Sequence, residues 1–201
     1  MSYIGNKPAN KAVVASDLDP AVITGQTALA VAPADTDEFL ISDAGTLKRT
    51  DASLVGGGGI TMAQQWRLSA DFTGNADPIA SNLEIVDTYG YGTLGSNMTE
   101  SSGVFTFPST GYYLIMAHHF IKNTNFERGA TMNLNVTTDG SNFNQAGQSA
   151  CSVSPWSSAN TINTSIMKYI LDVTDTSTHK VSFTVNVVTT GSTKTAGDTN
   201  F

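Results

Sequence analysis

Charge, cysteine and long apolar runs are all scarce in this chain. Asp, Glu, Lys and Arg make up only 13% of its 201 residues, while 40% are hydrophobic. Helical proteins usually dress their surfaces with charge, and disordered chains bury too little apolar surface to fold, so both classes fit this balance poorly. The Lys and Arg residues are scattered, and Lys48-Arg49 is their one adjacent pair, in a chain of net charge −7. Nucleic-acid phosphates and anionic lipid surfaces each need a cationic face, so neither is an expected partner. Cys151 stands alone and cannot close a disulfide within the chain. No apolar run approaches the ~20 residues that span a membrane. The opening MSYIGNKPANKAVVASD lacks the apolar centre of a secretion signal. The expectation is a soluble protein made inside the cell, without a signal peptide and without membrane insertion.

What the chain does have is Thr, Ser, Asn, Val and Gly, a composition that favours strands and turns over helices. Gly56-Gly57-Gly58-Gly59 is the clearest boundary. Four glycines in a row cost too much backbone entropy for regular structure and read as a linker over 56–59. The 1–55 segment has only short apolar clusters and too little material for a core of its own. It reads as an extended arm that folds against a partner. Within it, DEFLISDAGTLKRTD (37–51) has the pattern of a β-hairpin, with Phe39 to Ser42 as one strand, Asp43-Ala44-Gly45 as the turn, and Gly45 able to supply a positive φ.

After the linker, strands are expected near 60–70, 84–88, 104–107, 112–122, 131–137, 165–173 and 181–188, separated by turn signals such as Pro108-Ser109-Thr110-Gly111 and Thr138-Asp139-Gly140-Ser141. Met132, Leu134 and Val136 alternate with Asn133 and Asn135. Val181, Phe183, Val185 and Val187 alternate with Ser182, Thr184 and Asn186. Half-buried strands of this kind predict two antiparallel sheets packed face to face over 60–201, and no helical periodicity interrupts them.

The stretch GYYLIMAHHFI breaks the alternation. One face of a strand at 112–121 carries Tyr113, Ile115, Ala117, His119 and Ile121; the other carries Tyr112, Leu114, Met116, His118 and Phe120. Both faces are largely apolar. A sandwich covers only one, so the second calls for another copy of the chain.

The segment GVFTFPSTGYYLI resembles the signature strand pair of the complement-type globular head in the tumour necrosis factor-like jelly-roll superfamily. Gly103 and Phe105 match its first element, Pro108 the turn, Gly111 and Tyr113 the second. SIMKYILDVTDTSTHKVSFTVNV resembles that superfamily's penultimate strands. The resemblance spans about 60–190. It implies an all-β antiparallel jelly-roll sandwich that assembles as a homotrimer, with Tyr112, Tyr113, Leu114, Met116, His118 and Phe120 at the subunit contact. The superfamily closes on an apolar C-terminal strand, whereas TTGSTKTAGDTNF is polar, so that strand is irregular, missing or supplied differently. At the other end, MSYIGNKPAN resembles the opening of virion proteins of marine tailed bacteriophages, and TDEFLISDAGTLKRT a hairpin found in phage tail fibres. These resemblances imply virion attachment through Tyr3, Ile4, Phe39, Leu40 and Ile41, with other virion proteins as partners.

Chemistry-bearing motifs are few. Gly90-Tyr91-Gly92-Thr93-Leu94-Gly95 spells GxGxxG, but no amphipathic helix follows to hold a pyrophosphate, and the motif reads as a glycine-rich loop. His118 and His119 point to opposite faces of a strand, so one chain cannot chelate a metal with both. Three copies of one histidine could meet on a three-fold axis; otherwise one His lies in the sheet interior and one at the subunit contact. Asp35, Asp37 and Glu38 fit turn and capping roles, and Cys151 has no base partner. No cofactor, metal or catalytic residue is expected. Tyr89, Tyr91 and Trp156 lie in polar loops, where they could stack on a host-surface glycan or plug the ends of the sandwich. The expected function is a non-enzymatic structural component of a tailed-phage virion, a fibre, spike, tip or capsid decoration contacting the host surface. A free trimeric ligand or lectin-like binding protein of the same fold is the alternative.

Overall fold

The computed structural model describes residues 27, 33–34, 36–44, 46–55, 59–154 and 160–199. The expectations for Tyr3, Ile4, Asp35, Gly45 and Trp156, and for the linker glycines 56–58, lie outside them. The chain divides into two units between Gly59 and Ile60.

The first unit holds an antiparallel hairpin, β1 (Glu38–Asp43) with β2 (Thr46–Asp51), followed by a 3-10 turn, Ala52–Val55. Ala44 takes the positive φ of the turn, at 49°. Ion pairs Asp43–Lys48 and Glu38–Arg49 tie the strands, but both are exposed and contribute little. Phe39, Leu40 and Ile41 are exposed on the single chain.

The second unit is an antiparallel two-sheet jelly roll. It begins with β3 (Trp66–Leu68), β4 (Ala70–Thr73) and β5 (Leu83–Ile85), and β3 pairs with β5. Then come β6 (Thr99–Ser101), β7 (Val104–Thr106), β8 (Gly111–Asn123), β9 (Glu127–Thr137), β10 (Asn144–Val153), β11 (Thr161–Val173), β12 (Lys180–Val187) and β13 (Lys194–Asp198). One sheet runs β10-β9-β12-β7-β6 and the other β11-β8-β13-β4. From β7 onward the chain passes between the sheets at every connection except the β9–β10 hairpin, the winding that defines a jelly roll. The core lies between them: Ile121 of β8, Leu134 and Met132 of β9, Leu171 and Val173 of β11, and Val181 and Val185 of β12. Phe105 anchors one end, edge-on to Trp66 at 5.1 Å and to Phe183 at 5.9 Å.

The expected strands at 104–107, 112–122, 131–137, 165–173 and 181–188 are present with longer or shifted ends. One expectation needs correction. The 60–70 stretch is mostly irregular, with only β3, the first residue of β4 and a bridge between Ala63 and Leu94 in ladder geometry. Of the three alternatives for the closing strand, the irregular one holds: it is β13, inserted between β8 and β4. Its register shifts between Thr195 and Asp198, and Gly197 lies so close to Ala70 that any Cβ there would collide with the Ala70 carbonyl. An irregular, polar closing strand is therefore what this neighbour permits.

Gly103 shows why the signature begins with glycine. Its φ is +83°, and a Cβ would stand 2.5 Å from the Ile79 carbonyl and 2.9 Å from Pro78 Cγ. Gly103→Ala is expected to destabilise the fold by about 1–3 kcal/mol, because both the left-handed backbone and the contact must yield. Gly92→Ala, with nothing within 4 Å of its Cβ position, is the near-neutral control. Urea unfolding of the two variants checks the difference.

A candidate assembly interface on the outer face of the four-stranded sheet

β8 and β11 pair along their whole length, from Asn123 opposite Thr161 to Gly111 opposite Val173. Because side chains alternate, β8 sends Tyr113, Ile115, Ala117, His119 and Ile121 into the core and Tyr112, Leu114, Met116, His118 and Phe120 outward. The outward row is exposed on the single chain: Tyr112 is 78%, Leu114 61% and Met116 58% accessible. β11 extends it with Ile162, Ile166 and Ile170, all exposed. Ile170 stands opposite Leu114 and Ile166 opposite His118. Seven large apolar side chains thus share one face of two neighbouring strands. The Lys122–Asp71 ion pair, at 2.6 Å, lies past the Phe120 end. Asp172, opposite Tyr112, closes the other. Lys168, opposite Met116, is the one charge within the row. An apolar centre with a polar border is the anatomy of an association surface.

The isoleucines of β11 were missed from the sequence. Their signal was there: Ile162, Ile166 and Ile170 recur every four residues while Met167, Leu171 and Val173 face inward. Tyr113 is the correction in the opposite sense. It faces inward, its ring 4.5 Å from that of Phe107, and its hydroxyl donates to the Ser109 carbonyl at 2.9 Å. It holds the turn at Pro108 and does not belong to the exposed row.

The two histidines separate as their strand positions require. His118 is exposed on the outer face. His119 is 1% accessible, with Nε2 3.2 Å from the Thr195 hydroxyl and Nδ1 without a partner. Burial holds its pKa down to about 4, from an ordinary 6.5. Between those values the unfolded chain takes up a proton that the folded chain refuses. The stability His119 contributes is therefore complete above pH 6.5 and declines as pH falls towards 4. Urea midpoints should fall over this window, and His119→Asn should flatten the fall between pH 6.5 and 5.

The other candidate residues are dispersed. Tyr89 is 85% accessible, whereas Tyr91 is half-buried and its hydroxyl accepts from the Gln65 amide. The glycine-rich motif around them is a loop, with Gly90 and Gly95 at positive φ. Asp37 accepts from the Ala34 amide at 2.9 Å, a turn contact. Cys151 is half-buried, and burial pushes its thiol pKa up. Among the described residues no three His, Cys, Asp or Glu side chains gather to hold a metal ion. None of the described helices is long and apolar enough to cross a membrane.

The fold class is an all-β antiparallel jelly roll. No family model matches the chain, and no curated protein does. Among solved structures it is similar to the crystal structure of murine APRIL at pH 8.5, with 10% sequence identity and a TM-score of 0.40, over 68% of this chain and 98% of that one.

Proposed function

We propose that the chain is a non-enzymatic structural protein of a tailed-phage particle whose jelly roll assembles as a homotrimer. The observation that carries the assembly is the apolar outer face of β8 and β11. Tyr112, Leu114, Met116, Phe120, Ile162, Ile166 and Ile170 keep 40–78% of their surface accessible on the single chain, so burying the remainder would contribute at most about 1.5–3 kcal/mol each. A subunit that left them in water would associate through them in any case. The three-fold count comes from the resemblance of the Gly103–Tyr113 region to tumour necrosis factor-like heads.

The particle role draws on the resemblance of the 1–10 and 36–50 segments to virion proteins. The exposed Phe39, Leu40 and Ile41 of the hairpin suit attachment to another virion protein. Three heads on one axis would let weak contacts with a host surface add up. Fibre, spike, tip and capsid decoration all accommodate such a protein.

The test is the composition of purified particles. The account expects the chain in them by mass spectrometry, with the 37–51 hairpin cross-linked to a second virion protein. Recovery of the chain only as a free protein in the lysate would overturn the particle role and favour a free ligand or lectin.

A further inference from the structure

The outer face of the five-stranded sheet is built from different chemistry. β9 and β12 are neighbours there, with Asn135 opposite Ser182 and Asn133 opposite Thr184. Together with Asn186 these side chains line a groove of about 380 Å³, bounded also by Pro78, Asp77 and Phe143. The groove is recessed: Asn133, Ser182 and Thr184 face outward and are nevertheless below 9% accessible. A second groove of about 350 Å³ adjoins it across Val104 and Phe143.

The floor is held in place by neighbours on the flanking strands. The Gln148 amide donates to Asn133 Oδ1 at 2.9 Å, and Asn133 Nδ2 donates to the Thr184 hydroxyl at 3.2 Å. The side chains of Asn135, Ser182 and Asn186 make no hydrogen bond to other described residues and keep their full capacity for a ligand. Phe143 is 37% accessible. It follows a turn in which Asp139 accepts from the Ser141 and Asn142 amides at 2.9 and 2.7 Å, so the ring is carried on a well-anchored loop.

We propose that this groove binds a neutral carbohydrate. Its own lining holds no Lys, Arg or His and one carboxylate, Asp77, which disfavours phosphate, sulfate and carboxylate ligands; one cation, Lys180, lines the adjoining groove beside Glu100. β9 lies between β10 and β12, and the far side of β12 is taken by β7 over Lys180–Ser182 and by Ile79 and Ala76 at Phe183 and Val185, so the groove floor itself offers no open edge for a peptide to add a strand. What remains is a row of side-chain amides and hydroxyls, each able to donate and accept, beside one exposed aromatic ring. Sugar rings have the complementary surface, with hydroxyls around the rim and apolar C–H groups on the face. The groove lies on the sheet opposite the assembly face, so ligand binding and self-association do not compete. The proposal stands apart from the particle role.

Affinity electrophoresis of the full chain through gels containing mannan, laminarin or galactan, with alginate as the anionic control, tests it. At least one neutral polysaccharide should retard the chain, and alginate should not. Phe143→Ala and Asn186→Ala, both at accessible positions, should each weaken retardation by about tenfold or more while circular dichroism stays unchanged. Tyr89→Ala should have no effect. Three results would each overturn the proposal: no retardation by any of the neutral polymers, retardation indifferent to both groove substitutions, or retardation lost in Tyr89→Ala instead. A chain that proved monomeric would leave the retardation intact, so this reading and the assembly reading fail separately.

Discussion

Leu114→Asp is expected to yield a folded monomer. Leu114 is 61% accessible on the single chain, so a carboxylate there meets water and costs the isolated jelly roll almost nothing. In the assembly the same carboxylate would be buried against the apolar row of a sister subunit, next to its own Ile170 neighbour and without a cation opposite. Breaking or omitting one partner of a buried charge costs about 3–5 kcal/mol, and each subunit of a trimer would carry that cost. Ile170→Asp, across the strand pair, should act in the same way. Ile115→Asp is the contrasting case. Ile115 points into the core, so its replacement should unfold the chain. Light scattering with circular dichroism separates the outcomes: loss of mass with retained strand signal for Leu114 and Ile170, loss of strand signal for Ile115. A Leu114→Asp chain of unchanged mass would place the contact elsewhere.

Glu127 should carry the largest single-residue contribution to the stability of the jelly roll itself. Its carboxylate is fully buried and accepts from four donors: the Gly129 amide at 3.0 Å, the Val188 and Thr189 amides at 3.1 and 2.8 Å, and the Thr193 hydroxyl at 2.6 Å. Thr193 in turn accepts from Asn123 Nδ2 at 2.7 Å. One side chain thus joins the start of β9 to the β12–β13 connection and the end of β8. Glu127→Ala would strand those donors without water, at a cost of about 3–5 kcal/mol against a typical total of about 5–15. Burial alone would push the carboxyl upward, but the Thr193 hydroxyl and the three amides outweigh it and hold the pKa at about 2, below the ordinary 4.5. The folded chain therefore stays ionised where the unfolded chain has taken up a proton. The contribution is complete above pH 4.5 and is lost as pH falls towards 2. Acid unfolding should steepen over that range, and Glu127→Gln should be less stable at pH 7 with a flatter acid limb. An unchanged urea midpoint in Glu127→Ala would contradict this account.

The parts of the fold that were legible in the sequence share one property: their inward faces are made of large apolar residues. Met132, Leu134 and Val136 against Asn133 and Asn135 mark both the strand and its buried side, and the apolar character of both faces of 112–121 points to the outer patch. β10 gave no such signal. NQAGQSACSV offers small and polar side chains, and at Gly147 there is no side chain to mark the face that packs against Met167 and Leu134. β13 was hidden for the related reason at Gly197. The 60–70 stretch misled in reverse, because Ile60, Met62 and Trp66 suggest one continuous strand, whereas it is broken into a single bridge at Ala63, the short β3 (Trp66–Leu68) and the first residue of β4. Glu127, the four-donor carboxylate, had no sequence signal at all, since its partners lie at positions 129, 188, 189 and 193 and are mostly backbone.

The most direct test of the assembly account is the mass of the full-length chain in solution, measured by light scattering across micromolar concentrations near neutral pH. The account predicts a single species of three times the 21.1 kDa chain mass, persistent on dilution. A species of 21.1 kDa, soluble and folded with Tyr112, Leu114 and Ile170 in water, would contradict it.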